Sequence, residues 1–189
     1  MSQVVLQANL FDKKGVGSDA QYLDLINQIN SARNIPSMSN SNDGCWRSDI
    51  RFNNIDWLLN SVAELVDASA TLYSSIDPVF KSAVTSRKFH INYWTNINQP
   101  GARNVLHSHT SASLSCVYYV QGTGTGSLRI LNPANILGDC NPKSPFVRDF
   151  TFTPSDRDLI MWPSWLPHEV EPNLSQRERI NVVFDITFL

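Results

Sequence analysis

Two histidines sit at His107-Ser108-His109 in a chain that holds only four. On a β-strand that spacing points both imidazoles to one face. A third, His168, follows 61 residues later in Trp162-Pro163-Ser164-Trp165-Leu166-Pro167-His168-Glu169-Val170-Glu171-Pro172. Two ligands from one strand and one from a distant strand suit a metal held on one face of a β-roll. Imidazole serves iron well, and three ligands on one face of a six-coordinate ion leave three positions for a bidentate cosubstrate and dioxygen. The common ligand face is two histidines and one carboxylate, so His109 stands where Asp or Glu is expected. A neutral imidazole there leaves the metal more positive and strengthens its hold on an anion. Eleven residues past His168, Arg179 opens the last strongly apolar strand. Its guanidinium can pair bidentately with a carboxylate inside the roll. It could instead pair at the surface with Glu169, Glu171 or Glu178, and Arg177 is near enough to exchange roles with it.

The elements that must position these residues fall into two halves. Ser18-Asp19-Ala20-Gln21 is a capping-box pattern and predicts a helix to about Arg33, with Tyr22, Leu23, Leu25, Ile26 and Ile29 on one face. Residues 34–54 read as a loop with a short strand near Arg47–Phe52, and Met1–Asn9 as an edge strand. A second helix is expected over Ile55–Tyr73, with Leu58, Val62, Leu65, Val66, Ser69, Leu72 and Ile76 as its stripe, and Asp77-Pro78 ends the region. From Arg87 the period becomes two. Strands are expected at Lys88–Asn96, Val105–His109, Ser113–Gln121, Ser127–Leu131, Phe146–Phe152, Asp158–Trp162, His168–Glu171 and Arg179–Phe188, the count of a jelly roll. Alternation from Arg179 puts Asn181, Val183 and Asp185 on the arginine's side and Ile180, Val182, Phe184 and Ile186 on the other. Gly122-Thr123-Gly124-Thr125-Gly126 reads as a flexible hairpin connection, because no helix with a Lys-Ser or Lys-Thr pair follows to make a phosphate cradle. The expected architecture is mainly β: a single domain over 1–189, with an N-terminal helical buttress and loop at 1–86 packed on one sheet of a double-stranded β-helix at 87–189.

Composition narrows the partners. With 189 residues, 42% apolar and a formal charge of -2, the chain can bury one core and has no basic surplus for nucleic acid or anionic lipid. No stretch is long and apolar enough to span a bilayer, and the N-terminus lacks a basic region ahead of an apolar one, so a cytoplasmic protein is expected. Cys45, Cys116 and Cys140 are odd in number and widely spaced, which argues against both a disulfide framework and structural zinc. The expected partner is a small-molecule or protein substrate. His90 is expected to be a hydrogen-bonded structural residue, and Trp162 and Trp165 to pack at the roll's mouth, where Trp165 could line a substrate pocket.

Taken in order, Trp94-Thr95-Asn96, Gly101, Asn104, His107-Ser108-His109, Leu114-Ser115-Cys116-Val117-Tyr118-Tyr119, Asn132-Pro133, Trp162-Pro163-Ser164-Trp165, His168 to Asn173 and Arg179-Ile180-Asn181 resemble the iron- and 2-oxoglutarate-dependent oxygenases. The likeness is greatest to an uncharacterised bacterial and phage family of them. The resemblance implies a double-stranded β-helix with Fe(II) on His107, His109 and His168, and Arg179 on the distal carboxylate of 2-oxoglutarate. Cys116-Val117-Tyr118-Tyr119-Val120 further resembles the prolyl hydroxylase strand whose second tyrosine binds that carboxylate, which implies Tyr119 as the partner of Arg179. Asn181 stands where many members have a serine and keeps a hydrogen-bonding side chain. The implied reaction consumes dioxygen, converts 2-oxoglutarate to succinate and carbon dioxide, and hydroxylates a substrate C–H bond. A cupin-like binding module or isomerase would use the three histidines with another metal and no cosubstrate. The arginine separates the two, since only the first needs it. The loop at 34–54 and the segment Ala134–Pro145 are the expected walls of the substrate pocket.

Overall fold

A computed structural model describes residues 8–37, 42–73, 82, 86, 88–133 and 148–189. Strand β1 (Phe11–Lys13) is followed by helix α1 (Asp19–Ser31), β2 (Asn42–Ser48) and helix α2 (Asp56–Tyr73). The remaining strands are β3 (Phe89–His107), β4 (Leu114–Gln121), β5 (Leu128–Ile130), β6 (Phe150–Phe152), β7 (Leu159–Pro163), β8 (His168–Val170) and β9 (Arg179–Phe188). They form one curled antiparallel sheet in the order β1-β7-β4-β9-β3-β8-β5-β6, with β2 added to β3. The architecture is mainly β, a double-stranded β-helix type of roll with two helices, as the residue pattern predicts.

Alternation along the central strands divides the core. Tyr93, Ile97, Cys116, Tyr118, Val120, Ile180, Val182, Phe184 and Ile186 pack with Leu25 and Ile29 of α1 and Leu58, Val62, Leu65 and Val66 of α2. Trp94, Val117, Tyr119 and Val183, on the opposite face, meet Leu128, Ile130 and Phe152 from the curled-over end of the sheet, together with Trp162. Each large apolar side chain buried this way contributes about 1.5–3 kcal/mol. Helix α1 begins at the Ser18 cap, where the Ser18 side chain and Gln21 satisfy each other's backbone N–H groups. Among the described residues, no helix is long and apolar enough to cross a membrane.

Several expected boundaries move. Lys88–Asn96 and Val105–His109 belong to a single 19-residue strand that stops at His107. The Pro100-Gly101 break is a bulge within it: β2 opposes Arg103 with Asp43 and Asn98 with Cys45, so residues 99–102 have no partners on β2. The strand in the 34–54 loop lies at 42–48 rather than Arg47–Phe52, and an edge strand forms at Phe11–Lys13. Leu72 is 40% exposed instead of joining the α2 stripe, and His90 is exposed. Gly122–Gly126 is not a hairpin, because β4 pairs with β7 and β9 while β5 pairs with β6 and β8. The stretch crosses between the two layers, and Asp156 Oδ1 accepts from the Gly122 and Thr123 N–H groups, which ties it down. Most of the Met1–Asn9 strand, Ile76, Asp77-Pro78, Cys140, the start of the Phe146 strand and the Ala134–Pro145 wall lie outside the described residues.

Candidate metal centre

The long β3 strand carries His107 out of the β9 ladder and into register with β8, where its direct cross-strand partner is His168. His109 lies just past the strand end. A turn holds it, its N–H donating to Ser164 O at 2.9 Å, so strand alternation is not what aims its ring. The ring centroids are 4.3 Å apart for His107 and His168, 5.1 Å for His107 and His109, and 5.2 Å for His109 and His168. One nitrogen from each lies within 4.8 Å of the other two.

Hydrogen bonds decide which nitrogen is free. His107 Nδ1 is 2.7 Å from Val105 O, and His168 Nδ1 is 2.9 Å from Leu166 O. A carbonyl only accepts, so each Nδ1 carries the proton and each Nε2 keeps its lone pair. His109 Nδ1 is 2.6 Å from Asp185 Oδ1. Burial holds the His107 ring below the ordinary histidine range, and burial followed by repulsion from His107 brings His168 down to about 3. Neutral rings with free lone pairs are what a metal requires.

Arg179 is 0% exposed at the start of β9. Its Nη1 donates to Thr125 O at 2.7 Å and Glu171 O at 3.0 Å, and Nη2 donates to Asn104 Oδ1 at 3.3 Å. All three acceptors are uncharged, and buried Nε has no partner. The surface alternatives are taken elsewhere. Glu178 pairs with Arg33, Glu169 with Arg129, and Arg177 with Asp156. Glu171 gives Arg179 its carbonyl while its carboxylate accepts from Ser127 N. Gly126, at φ 99°, permits this cradle, since a Cβ there would lie 2.9 Å from Glu171 O and 3.2 Å from Arg179 Nη1. A buried cation without an anion is costly unless a ligand supplies one. The residues therefore fit both groups that the family resemblance implies: three imidazole nitrogens for iron, and an incompletely used guanidinium for a carboxylate.

A pocket opens beside the histidines and extends to Asn104, which accepts from Arg179. Its walls include the three histidines, Tyr119, Asn181 and Asn104. Tyr119 is buried close enough to Arg179 for the cation to oppose the rise in its hydroxyl pKa that burial causes. Asn181 Oδ1 accepts from Asn96 Nδ2 at 3.3 Å. Arg179 itself lies behind the lining and contacts it through Asn104 of β3. Trp162 lines the pocket and meets His168 edge-on at 5.0 Å, whereas Trp165 is 41% exposed and outside the lining.

Two contributors were not singled out from the sequence. Asp185 had been placed only on the arginine's side of β9, and its contact with His109 spans 76 residues. Arg47 comes from β2, lines the pocket and lies 4.3 Å over the Trp94 ring. It sat inside a stretch without periodicity, so only its strand pairing with Asn96 reveals its place.

The family model described as "Putative 2OG-Fe(II) oxygenase" matches residues 92–185. A prolyl-4-hydroxylase from Pseudomonas putida is similar in structure at a TM-score of 0.63 and 14% identity, covering 95% of this chain and 92% of its own. The prolyl hydroxylase of Trichoplax adhaerens, solved with a hypoxia inducible factor peptide, gives 0.60 and 12%, covering 95% and 83%. The alpha ketoglutarate dependent epimerase SnoN from nogalamycin biosynthesis gives 0.64 and 10%, covering 95% and 78%. No curated protein sequence matches. The chain belongs to the 2OG-Fe(II) oxygenase family.

Proposed function

We propose that this chain is an Fe(II)- and 2-oxoglutarate-dependent dioxygenase that hydroxylates a small-molecule or protein substrate, with release of succinate and carbon dioxide. The observation that carries the reading is Arg179: a fully buried guanidinium, bonded only to neutral acceptors, one of which, Asn104, lines the pocket that the three histidines also line. A metal-binding module without a dicarboxylate cosubstrate has no use for it.

In this reading His107, His109 and His168 hold the iron through Nε2. Arg179 takes the distal carboxylate of 2-oxoglutarate, with Tyr119 and Asn181 beside it. Bound iron and 2-oxoglutarate supply the oxidising power for dioxygen chemistry, and the protein supplies position and electrostatics. Val117, Val183 and Trp162 line the pocket between the centres and limit water there. Buried, free Cys116 and a ferrous cofactor both suit a reducing compartment, which we take to be the cytoplasm.

The test is anaerobic titration of the metal-free protein with ferrous iron and then 2-oxoglutarate. A weak visible charge-transfer band is expected, absent in His168→Ala and Arg179→Ala. Metal uptake by the wild type without that band would favour a three-histidine module of the cupin kind.

A further inference from the structure

His109 occupies a position where a carboxylate ligand would have brought a negative charge, and that charge stands one shell away. Asp185 Oδ1 lies 2.6 Å from His109 Nδ1 and accepts from Ser115 Oγ at 3.1 Å. From the geometry we infer that Asp185 is a positioning residue for the metal centre. It holds His109 with the proton on Nδ1 and the lone pair on Nε2, and it supplies through the ring the charge that the three neutral ligands lack. The inference rests on the metal-site reading above.

The sheet fixes the carboxylate before any metal arrives. Asp185 is the Cα partner of Asn92 on β3 and of Ser115 on β4, so it sits in the middle of three paired strands. Ser115 is fully buried, and its hydroxyl is within 3.1 Å of both Asp185 Oδ1 and His109 Nδ1. Oδ1 accepts the Ser115 hydroxyl proton, and at 2.6 Å from a carboxylate oxygen His109 Nδ1 must carry a proton, since two lone pairs would repel at that distance. In the opposite tautomer, His109 would turn a proton toward the other two rings and could not ligate. His107 and His168 are oriented by backbone carbonyls, so His109 alone of the three has a charged orienter. A carboxylate behind an imidazole raises the basicity of the ligating nitrogen, and losing such a partner weakens metal binding about 10- to 100-fold.

The test loads the full chain with cobalt(II), which is air-stable and spectroscopically active, in competition with a chromophoric chelator. Asp185→Asn is expected to raise the cobalt dissociation constant about 10- to 100-fold. Ser115→Ala keeps the charge and removes one bond that aims it, so a loss of about 2- to 10-fold is expected. In the proton NMR spectrum of the cobalt protein each ligand N–H gives a hyperfine-shifted exchangeable signal, and one of the three should move or exchange faster in both variants. A merely structural aspartate would lower the melting temperature and leave these signals in place. Cobalt affinity within threefold of wild type in Asp185→Asn, with all signals unmoved, overturns the inference and leaves the site standing. A wild-type chain that takes up no metal overturns both. If Asp185→Asn does not fold, Ser115→Ala decides by the same readouts: unchanged affinity and signals overturn the inference.

Discussion

Arg179→Lys keeps a buried cation and removes the planar fork, which makes it the sharpest probe of the cosubstrate end. Arg179 has five N–H donors, three of them committed to Thr125 O, Glu171 O and Asn104 Oδ1, leaving Nε–H and one Nη2–H for a ligand. A lysine has three donors in all, and the same three acceptors compete for them. The ligand therefore loses at least one charge-assisted bond of about 1.5–3 kcal/mol, or roughly 10- to 150-fold in affinity. The assay is thermal unfolding of manganese-loaded protein with 2-oxoglutarate at 100 times the wild-type dissociation constant. Wild type should gain about 2.7 kcal/mol by mass action, which at about 2–4 °C per kcal/mol for a chain of this size is about 5–11 °C. A variant weakened about 100-fold should gain about 0.4 kcal/mol, or 1–2 °C. A full wild-type shift in Arg179→Lys would refute the assignment of the fork to the carboxylate.

Gly126→Ala should destabilise the protein by about 1–3 kcal/mol, because it strains a residue at φ 99° and drives a Cβ to 2.9 Å from Glu171 O. It should also weaken 2-oxoglutarate by displacing the Arg179 cradle, and isothermal titration of the metal-loaded variant checks this. The metal-free protein should lose stability as pH falls below about 6.5. The His168 pKa is depressed to about 3 and that of His107 is lowered, so the unfolded chain binds protons that the folded chain refuses. Each such histidine gives a slope of up to about 1.4 kcal/mol per pH unit. Melting at pH 7.5 and 5.5 should show a fall of several degrees, and a rise would contradict the assignment of neutral buried rings.

Residue type and local spacing were enough to read some of this protein. Four histidines in 189 residues make a cluster conspicuous, and the period of two in β9 sorts Ile180, Val182, Phe184 and Ile186 onto the helix-facing side. The Ser18 cap was legible because its bonds close within three residues. Pairing across the chain decided the rest. Pro100 and Gly101 look like a strand end to any local rule, yet β2 and β9 pair with β3 before them and β2 and β8 pair with it after them, so β3 resumes beyond the bulge. That continuity is what puts His107 opposite His168. The glycine stretch at 122–126 has hairpin composition, but strand order makes it a crossover that offers its Thr125 carbonyl to Arg179. Asp185 reaches His109 only because β9 lies beside β4 and a turn past β3 brings the ring back over it. Sequence singled out the three histidines and Arg179 as candidates, since that is a matter of functional groups and short-range period, but not Asp185 or Arg47. Which of them touch was decided by the sheet, because those contacts join residues 54 to 76 positions apart, and no local pattern encodes such distances.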